Sequence, residues 1–339
     1  MKVLENVLIA ELTTMRLGGT AKYVVEIEKV EDVAEAYRFA KEKNLRTFIL
    51  GSGANTIGRD EGFDGVILLN KIKGIETISE NEIEAVIRGM GGEIWDDFVK
   101  YTVEKDLSGI EALAKIPGTV GAAPVQNIGA YGQEIAQVLE NVEAYDSLAE
   151  KFLKLNKDEL KFSYRKSILN NGENVGRYFV IAVTVKLKKN TQLQPPFYTS
   201  LQKYVDENHE TDFSPKNIYR MVSEIRAEKL PDPKEIASAG SFFKNVYLSD
   251  EEADEAEKKG IKVWRKNGEN KINSGWLIEN AGIKGRDFHG MHISEKAALI
   301  LINDSAKSYA DLTAARAEIR KIVKEKFGFE LEQEPVEIF

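Results

Sequence analysis

Apolar residues recur along this chain at two spacings, which divide it into helices and strands. Apolar positions three and four residues apart predict helices, and short apolar runs bounded by polar residues predict strands. The predicted helices cover residues 30–43, 94–105, 214–229, 249–259, 274–280 and 308–327. The predicted strands cover residues 22–27, 47–50, 66–69, 142–145, 180–187, 297–302 and 329–339, and residues 83–88 begin a second block. Because the two types do not alternate strictly, the pattern favours α+β domains over one doubly wound sheet.

Two segments are predicted from other features. The ordered part of the chain is expected to begin with the sequence RLGG at residues 16–19. Residues 188–214 are polar, contain Pro195 and Pro196, and show little periodicity. A long segment of this kind is usually a linker or a functional lid. Ser214 and Pro215 then suit the N-cap and the first position of the next helix.

Two glycine-rich stretches stand out from the rest of the chain. Residues 113–135, LAKIPGTVGAAPVQNIGAYGQEI, are almost uncharged before Glu134, and residues 49–57, ILGSGANTI, follow a predicted strand. Bare amides in such stretches can bind a phosphate, which indicates one extended ligand held by both. The alternative is a loop that crosses a crowded core. Thr56 replaces the third glycine of the G-x-G-x-x-G fingerprint, which disfavours a Rossmann site.

Composition limits the classes of function. The 339 residues carry a formal net charge of −8, which argues against a broad surface for nucleic acid or anionic membrane. The chain has no cysteine, which excludes disulfides, thiolate metal sites and a cysteine nucleophile. No run approaches the roughly 18 apolar residues of a membrane span, and the N-terminus lacks a continuous apolar signal region. These features predict a cytoplasmic protein without membrane insertion.

Several polar residues are candidates for chemistry, each with a plainer alternative. His289 and His292 flank a glycine and are better explained by a surface loop than by a metal site, so no metal is predicted. Ser241 precedes two phenylalanines and is either a proton donor or a buried serine. Arg165 could bind a carboxylate or lie on the surface. Glu330, Glu332 and Glu334 alternate at strand spacing, so either their shared face is solvated or one carboxyl has a raised pKa.

Six motifs together resemble the bacterial UDP-N-acetylenolpyruvoylglucosamine reductases of cell-wall synthesis. The resemblance extends from residue 16 to Glu334 and favours the first structural type of that family. The motifs, in chain order, are GIEALAKIPGTVGAAPVQNIGAYGQEI, FSYRKS, KLPDPK, AGSFFKN, SGWLIENAGIKG and LEQE.

The resemblance implies a fold and a cofactor. The expected fold class is α+β, with a two-subdomain FAD-binding fold like that of vanillyl-alcohol oxidase and a C-terminal α+β substrate-binding domain. The expected boundaries are residues 1–66 and 67–226 for the subdomains, 227–328 for the substrate domain, and 329–339 for a strand that carries the catalytic glutamate. Non-covalent FAD would contact Arg16, Gly51, Ser52, Gly53, Ala54, Asn55, Pro117, Gly118, Val120, Gly121, Ala122, Asn127, Gly129 and Ala130.

The resemblance also implies a reaction. NADPH would reduce FAD, and UDP-N-acetyl-3-O-(1-carboxyvinyl)-glucosamine would then receive hydride at C3. Ser241 would protonate C2, while Arg165 and Glu334 stabilise the charge that develops there. The expected substrate-binding residues are Tyr131, Tyr198, Arg226, Lys229, Asn245 and Asn280, with residues 188–214 as the mobile loop. A monomer is expected.

A departure from the family pattern leaves the catalytic carboxyl open, and two rival functions are also considered. The tail reads LEQEP where LEPEV is commoner, so the catalytic carboxyl is Glu332 or Glu334, and register from Leu331 favours Glu334. One rival function is an FAD oxidase acting on a sugar or alcohol. A second rival is a nucleotide-sugar binding protein without catalysis, which the presence of Ser241, Arg165 and Glu334 disfavours.

Overall fold

The computed structural model describes residues 1–266 and 268–339. Its helices are α1 (Glu31–Glu42), α2 (Trp95–Glu104), α3 (Thr199–Asn208), α4 (Pro215–Lys229), α5 (Asp250–Lys258), α6 (Ser274–Asn280) and α7 (Tyr309–Phe327). Its strands are β1 (Lys2–Leu8), β2 (Thr20–Ile27), β3 (Arg46–Leu50), β4 (Thr56–Gly58), β5 (Phe63–Asn70), β6 (Ile75–Glu80), β7 (Glu84–Met90), β8 (Leu107–Ser108), β9 (Gly129–Ala130), β10 (Gln133–Glu134), β11 (Leu139–Asp146), β12 (Lys151–Asn156), β13 (Tyr178–Lys189), β14 (Ser238–Ser241), β15 (Val246–Leu248), β16 (Trp264–Lys266), β17 (Glu269–Ile272), β18 (Asp287–Phe288), β19 (Met291–Ile293), β20 (Ile300–Asn303) and β21 (Val336–Ile338).

The chain divides into two compact units, each built from more than one segment. Unit 1 contains Met1–Val7, Ala21–Ser52 and Asp64–Glu228, and unit 2 contains Leu8–Thr20, Gly53–Phe63 and Lys229–Phe339. The expected domain boundaries stay a prediction. The division matters because the glycine-rich residues 113–135 and 49–52 lie in unit 1, whereas residues 53–57, Ser241 and Glu334 lie in unit 2.

Unit 1 contains two sheets that share a core. One sheet has the order β1-β2-β5-β3, with β3 and β5 parallel, and the other has the order β12-β11-β13-β7-β6. Phe179 and Ile181 of β13 pack with Val25 and Ile27 of β2 in one cluster of buried side chains. β13 is central because residues 179–185 are buried without interruption and are apolar apart from Thr184, which suits a strand covered on both faces.

Helices cover the second sheet of unit 1 and hold the glycine-rich stretch against it. Trp95 and Phe98 of α2 are almost fully buried and pack with Val120 and the side chains of β13. A smaller cluster joins α3 and α4 to residues 112 and 114. The stretch that follows α2 is therefore held between the sheet and α3 with α4.

Unit 2 is built around α7. Leu312, Ala315, Ile319 and Val323 are fully buried and form its inner face, each larger aliphatic side chain contributing about 1.5–3 kcal/mol by burial. Ser308 forms a capping box at its start, and a left-handed Gly328 ends it. Two antiparallel sheets, β14-β20-β19-β18 and β15-β17-β16, complete the unit, and β21 pairs in parallel with β4.

The predicted helices agree with the structure. The predictions for the residues before residue 16 and for residues 188–214 differ from it. The expectation that order begins at residue 16 is wrong, because β1 lies at the edge of its sheet and Ile9 and Met15 are fully buried. No helix was predicted within residues 188–214, but residues 199–208 form α3. Its apolar signal is weak, since only Leu201 and Val205 of that helix are buried.

Several strands escaped the sequence pattern. β6 and β12 are edge strands with mostly exposed side chains, so they lack the apolar run that marks a central strand. The tail forms a strand only at β21, with an isolated bridge between Gln333 and Phe243. Of the helices that the structure describes, none has the length and apolar character to cross a bilayer.

Candidate functional site

The glycine-rich stretch at residues 113–135 packs against other backbone, because Gly121 lies against Gly91. The N–H of Gly121 donates to the carbonyl of Gly91 at 2.9 Å, and the N–H of Val120 donates to Glu93 at 2.9 Å. The N–H of Ala122 donates to Thr119 at 3.0 Å. These three amides are not available to a phosphate. A backbone-amide role for Val120, Gly121 and Ala122 is therefore wrong, and their contact with a cofactor through other atoms stays a prediction.

The start of the same stretch is open. In the part of the chain that the structure describes, the N–H groups of Gly118 and Thr119 are hydrogen-bonded to no acceptor. Gly118 has a φ of +150°, and a Cβ added to it would meet nothing within 4 Å. A Cβ on Gly51 would lie 2.6 Å from the Thr119 hydroxyl, so the end of β3 touches this open turn. The contact brings parts of both glycine-rich stretches together within unit 1.

The glycine-rich loop at residues 49–57 has the features of an anion-binding site. Among the described residues, none accepts a hydrogen bond from the N–H of Ser52, Gly53 or Ala54. Gly53 is buried with a φ of +69°, and a Cβ there would lie 2.1 Å from the carbonyl oxygen of Leu12. A buried N–H without an acceptor is costly unless a ligand supplies one. These bare donors fit the pyrophosphate of the expected FAD.

Asn127 links the expected cofactor residues to the turn that carries Arg165, because its side-chain amide donates to the carbonyl of Ser163 at 3.4 Å. Its side chain is buried, donates to Glu134 at 2.9 Å and accepts from the N–H of Ala136 at 3.2 Å. Ser167 donates to the carbonyl of Val125 at 2.8 Å, which holds the FSYRKS segment against the same stretch. Gly129 and Ala130 form β9 and pair with β10.

Arg165 lies at the tip of a tight turn. The backbones of Ser163 and Lys166 exchange hydrogen bonds of 3.0 and 3.1 Å, which close the turn. Arg165 has a φ of +55°, and its guanidinium lies 5.2 Å from the ring centre of Tyr164. A side chain in the left-handed region costs about 1 kcal/mol, and such strain is common at functional positions.

Three of the six expected substrate-binding residues come together in unit 1. Tyr131 lies at the tip of the β9–β10 hairpin with a φ of +50°, and its ring contacts Tyr198 edge-on at 5.8 Å. Burial raises the pKa of Tyr131, while the Arg226 guanidinium acts to lower it. The side chains of Tyr131, Tyr198 and Arg226 therefore form one cluster, which we call the tyrosine–arginine cluster.

A carboxylate that the sequence analysis did not single out lies behind this cluster. Asp96 accepts hydrogen bonds from the Lys115 backbone at 2.7 Å, from its ammonium at 2.6 Å, and from the Tyr219 hydroxyl at 3.1 Å. The Asp96 carboxylate raises the pKa of Lys115. Arg226 donates to the carbonyl of Lys115 at 3.2 Å. Asp96 lies 13 residues before the first of the six family motifs, which begins at Gly109, so only the fold reveals it.

Ser241 ends β14 in unit 2 and is half-buried. Its strand pairs with β20, where Ser241 lies opposite Ile300, and the N–H of Phe242 donates to Leu299 at 2.8 Å. The Ser241 hydroxyl forms no hydrogen bond to another residue in the ranges that the structure describes. Its backbone is thus fixed while its hydroxyl is left for a ligand.

The C-terminal tail runs antiparallel to the segment after Ser241. The N–H of Glu334 donates to Phe242 at 2.9 Å, and the N–H of Lys244 donates to Glu332 at 2.8 Å. The Glu332 carboxylate is 73% exposed and forms an ion pair with Lys244, whereas Glu334 is half-buried. Because Glu334 lies opposite Phe242, the residue after Ser241, this register places the backbone of Glu334 nearer to Ser241 than that of Glu332.

The three glutamates do not share one solvated face as a regular strand would require. Glu330 pairs with Lys324 and Arg320 of α7, and Glu332 pairs with Lys244. The expected strand spacing is wrong here because residues 330–332 lie outside any strand.

The tail is anchored on its other side by charged groups. Arg59 donates to the Glu337 carboxylate at 2.9 and 2.6 Å, and Arg316 donates to it at 2.8 Å. Gln333 also bonds to Glu337, at 3.2 Å. Burial alone would raise the pKa of Glu337, but hydrogen bonds from Tyr309, Arg59 and Arg316 outweigh it and lower the pKa to about 2.

Four further expected site residues, Arg16, Lys229, Asn245 and Asn280, lie in unit 2 and have diverse surroundings. Arg16, with a φ of +56°, donates to the carbonyls of Pro233 and Lys234 at 3.2 and 2.7 Å. Asn245 accepts from the N–H of Ser274 at 3.2 Å. Asn280 is exposed at the end of α6, and Lys229 ends α4.

The paired histidines lie in a hairpin. His289 and Gly290 form the turn between β18 and β19 with positive φ angles of 49° and 80°. His289 bonds to Glu318 at 3.2 Å and His292 to Asp287 at 2.7 Å. Among the residues described by the structure, no group of three or more acidic, histidine or cysteine side chains is arranged to hold a metal.

Comparison with known proteins identifies relatives over the whole chain. A family model described as an FAD binding domain matches residues 21–150, and the model of the UDP-N-acetylenolpyruvoylglucosamine reductase C-terminal domain matches residues 232–338. UDP-N-acetylenolpyruvoylglucosamine reductases of Burkholderia ambifaria and Polynucleobacter asymbioticus are 33% and 34% identical, covering 97% and 98% of this chain and 95% and 96% of the relatives.

A solved structure gives the same result. The crystal structure of the UDP-N-acetylenolpyruvylglucosamine reductase of Thermus caldophilus superposes with a TM-score of 0.67 at 26% identity. The superposition covers 99% of each chain. With the mixed helices and strands described above, these matches confirm the predicted fold class, an FAD-binding fold followed by a C-terminal α+β domain.

Proposed function

Because this chain belongs to the UDP-N-acetylenolpyruvoylglucosamine reductase family, we propose that it uses NADPH to reduce the enolpyruvyl group of UDP-N-acetyl-3-O-(1-carboxyvinyl)-glucosamine. It is an FAD-containing oxidoreductase of peptidoglycan precursor synthesis. The observation that carries the proposal is the likeness to curated reductases over nearly the full length of both proteins. The product is UDP-N-acetylmuramate.

Bare backbone amides are the groups in this chain best suited to hold the cofactor. FAD, when bound, supplies hydride transfer from NADPH to C3 of the enolpyruvyl group. The N–H groups of residues 52–54 and 118–119 would donate to phosphate oxygens, because no described protein acceptor competes for them. Asn127, Gly129 and Ala130 would lie near the ring system. The hydrogen bonds that Asn127 makes with Glu134 and Ala136 fix its side-chain orientation for that contact.

The tyrosine–arginine cluster would bind the UDP-sugar. Arg226 is a planar donor suited to phosphate oxygens, and Tyr131 and Tyr198 add aromatic surfaces and hydroxyl donors. Lys229, Asn245 and Asn280 are proposed to contact the same substrate. Residues 188–214, which include Tyr198 and α3, are proposed to form the loop that moves when substrate enters.

Ser241 would donate the proton that C2 requires. Hydride addition at C3 leaves negative charge on C2 and on the adjacent carboxylate, and a positioned hydroxyl can discharge it by protonating C2. The Ser241 hydroxyl is suited to this role because no residue in the described ranges holds it in another hydrogen bond. Arg165 and Glu334 would stabilise the developing charge, Glu334 as a protonated or proton-sharing carboxyl.

The reaction needs neither a nucleic acid nor a membrane partner, and we propose that the protein acts as a cytoplasmic monomer. An FAD oxidase of the same fold would share the cofactor but would release peroxide. Nothing in the described residues favours that alternative, so it enters only as an outcome of the experiment.

The visible absorption spectrum of the purified protein tests the proposal. A flavin spectrum that bleaches on anaerobic addition of NADPH and returns on addition of UDP-N-acetyl-3-O-(1-carboxyvinyl)-glucosamine is the expected result. A colourless protein would contradict an FAD enzyme. The oxidase would be favoured if a sugar alcohol bleached the flavin, if aeration then produced peroxide, and if the UDP-sugar did not restore the flavin absorbance.

A further inference from the structure

Asp96 joins three segments of unit 1 that are distant in sequence. It lies in the first turn of α2, and its side chain is 18% exposed. Both carboxylate oxygens accept hydrogen bonds, from the N–H and ammonium of Lys115 at 2.7 and 2.6 Å and from the Tyr219 hydroxyl at 3.1 and 3.2 Å. Charge-assisted bonds of this kind are stronger than neutral ones. Asp96 thereby connects α2, the glycine-rich stretch and α4.

Lys115 is held in a conformation that lysine rarely adopts. Its φ is +57°, which costs about 1 kcal/mol without compensation. The two bonds to Asp96 fix both its backbone and its side chain. Its carbonyl oxygen accepts a hydrogen bond from Nε of Arg226 at 3.2 Å. The direction of that carbonyl therefore depends on Asp96.

Arg226 receives support from Asp96 along a second route. Tyr219 precedes Arg226 by seven residues on α4, so both side chains lie on the same face of the helix. Tyr219 binds Asp96, and Arg226 interacts with the Tyr131 hydroxyl. Burial lowers the pKa of Arg226, while Tyr131 and Asp96 act to raise it. The guanidinium is thus partly desolvated beside two groups that favour its charge.

We propose that Asp96 is a positioning residue for Arg226: it fixes the Lys115 carbonyl and the Tyr219 hydroxyl, which together hold the guanidinium at the tyrosine–arginine cluster. This inference rests on the proposed function, in which Arg226 and Tyr131 bind the UDP-sugar. Asp96 does not contact substrate in this scheme. Its removal should weaken substrate binding through Arg226 and leave the chemical step and the cofactor unaffected.

The matched variants are Asp96→Ala and Asp97→Ala. Asp97 is the next residue in the same helical turn and is exposed, so its removal changes the net charge and the helix terminus equally. In the FAD-loaded enzyme, Asp96→Ala should raise KM for the enolpyruvyl substrate about tenfold, equivalent to about 1.4 kcal/mol, with kcat within about twofold. The calorimetric Kd for UDP-N-acetylmuramate should rise by a similar factor. Asp97→Ala should leave both quantities unchanged.

A double variant separates positioning from a merely structural role. If Asp96 acts through Arg226, adding Asp96→Ala to Arg226→Ala should raise Kd no further than Arg226→Ala alone. A further rise of about tenfold would overturn the inference, because independent effects multiply. Equal behaviour of Asp96→Ala and Asp97→Ala would also overturn it, as would loss of flavin absorbance in Asp96→Ala.

Two further results keep the outcome interpretable. If Asp96→Ala does not fold, Asp96→Asn retains one acceptor oxygen and should show a smaller rise in KM and Kd. If the wild-type protein reduces the substrate normally and the Asp96 and Asp97 variants behave alike, this inference alone is contradicted. If the wild-type protein binds no UDP-sugar and oxidises no NADPH, the proposed function is contradicted, and the inference with it.

Discussion

The tyrosine–arginine cluster of unit 1 and the Ser241–Glu334 segment of unit 2 are held in different ways. In unit 1, Arg226 is held by side-chain and carbonyl contacts that lead back to Asp96. In unit 2, Ser241 and Glu334 are held by backbone hydrogen bonds of β14 and of the antiparallel tail. The first arrangement fixes a charged side chain, whereas the second fixes the backbone.

This difference matches the two tasks proposed for these residues. A binding group benefits from being held in its bound geometry before substrate arrives, because less conformational entropy is lost on binding. A proton donor must be able to give its hydrogen to the substrate, so a prior hydrogen bond to protein would compete. The comparison therefore predicts effects on KM in unit 1 and effects on kcat in unit 2.

Ser241→Ala should have the largest effect and tests the unit 2 half of the comparison. Without the proton donor, kcat should fall by about 10²–10⁴-fold, while stopped-flow reduction of the flavin by NADPH continues at the wild-type rate. Ser305→Ala, an exposed serine in the same unit, is the control. Loss of NADPH-dependent flavin reduction in Ser241→Ala would show that Ser241 is not the donor to C2.

The two candidate glutamates give the next largest effect. Glu334→Gln should lower kcat about 10²-fold by removing the proton-sharing carboxyl. Glu332→Gln should change kcat less than about twofold, because its exposed ion pair with Lys244 contributes little. Steady-state kinetics of both variants settle the order. The reverse ranking would place the catalytic carboxyl two residues earlier, at Glu332, and would contradict the role proposed for Glu334.

Glu337→Gln tests whether the tail is anchored by charge as well as by backbone. The pKa of Glu337 is lowered to about 2 from 4.5, so its ion pairs stabilise the fold above pH 4.5, and the stabilisation is lost as pH falls towards 2. The variant should lower the free energy of unfolding by on the order of 2 kcal/mol at pH 7. Urea denaturation from pH 7 to pH 2.5 should show that deficit shrinking.

The control for the anchor is Glu325→Gln. Glu325 forms an exposed pair with Lys321 on α7 at 3.9 Å, so its removal should change stability by less than about 0.5 kcal/mol at any pH. A deficit of Glu337→Gln that stays constant down to pH 2.5 would mean that the carboxylate charge is not what holds the tail.

Much of the fold follows from local pattern. The inner face of α7 could be predicted because its apolar residues recur at helical spacing, and its ends are marked by Ser308 and Gly328. α3 could not be predicted, because only two of its residues are buried and the rest of its surface is polar. β1, β6 and β12 were missed for a related reason, since edge strands need little apolar surface.

The family, the FAD requirement and the candidate residues follow from the amino-acid sequence alone, because each motif is contiguous and its residue types are specific. The folded structure was needed to show which glycine amides remain open. Gly121 donates to Gly91 and is closed, whereas Gly53 is buried without an acceptor among the described residues. It also brings Asp96 to its partner Tyr219, which is 123 residues away in the sequence. Hydrogen-bond partners so distant in sequence are fixed by how the chain folds back, and no local spacing records them.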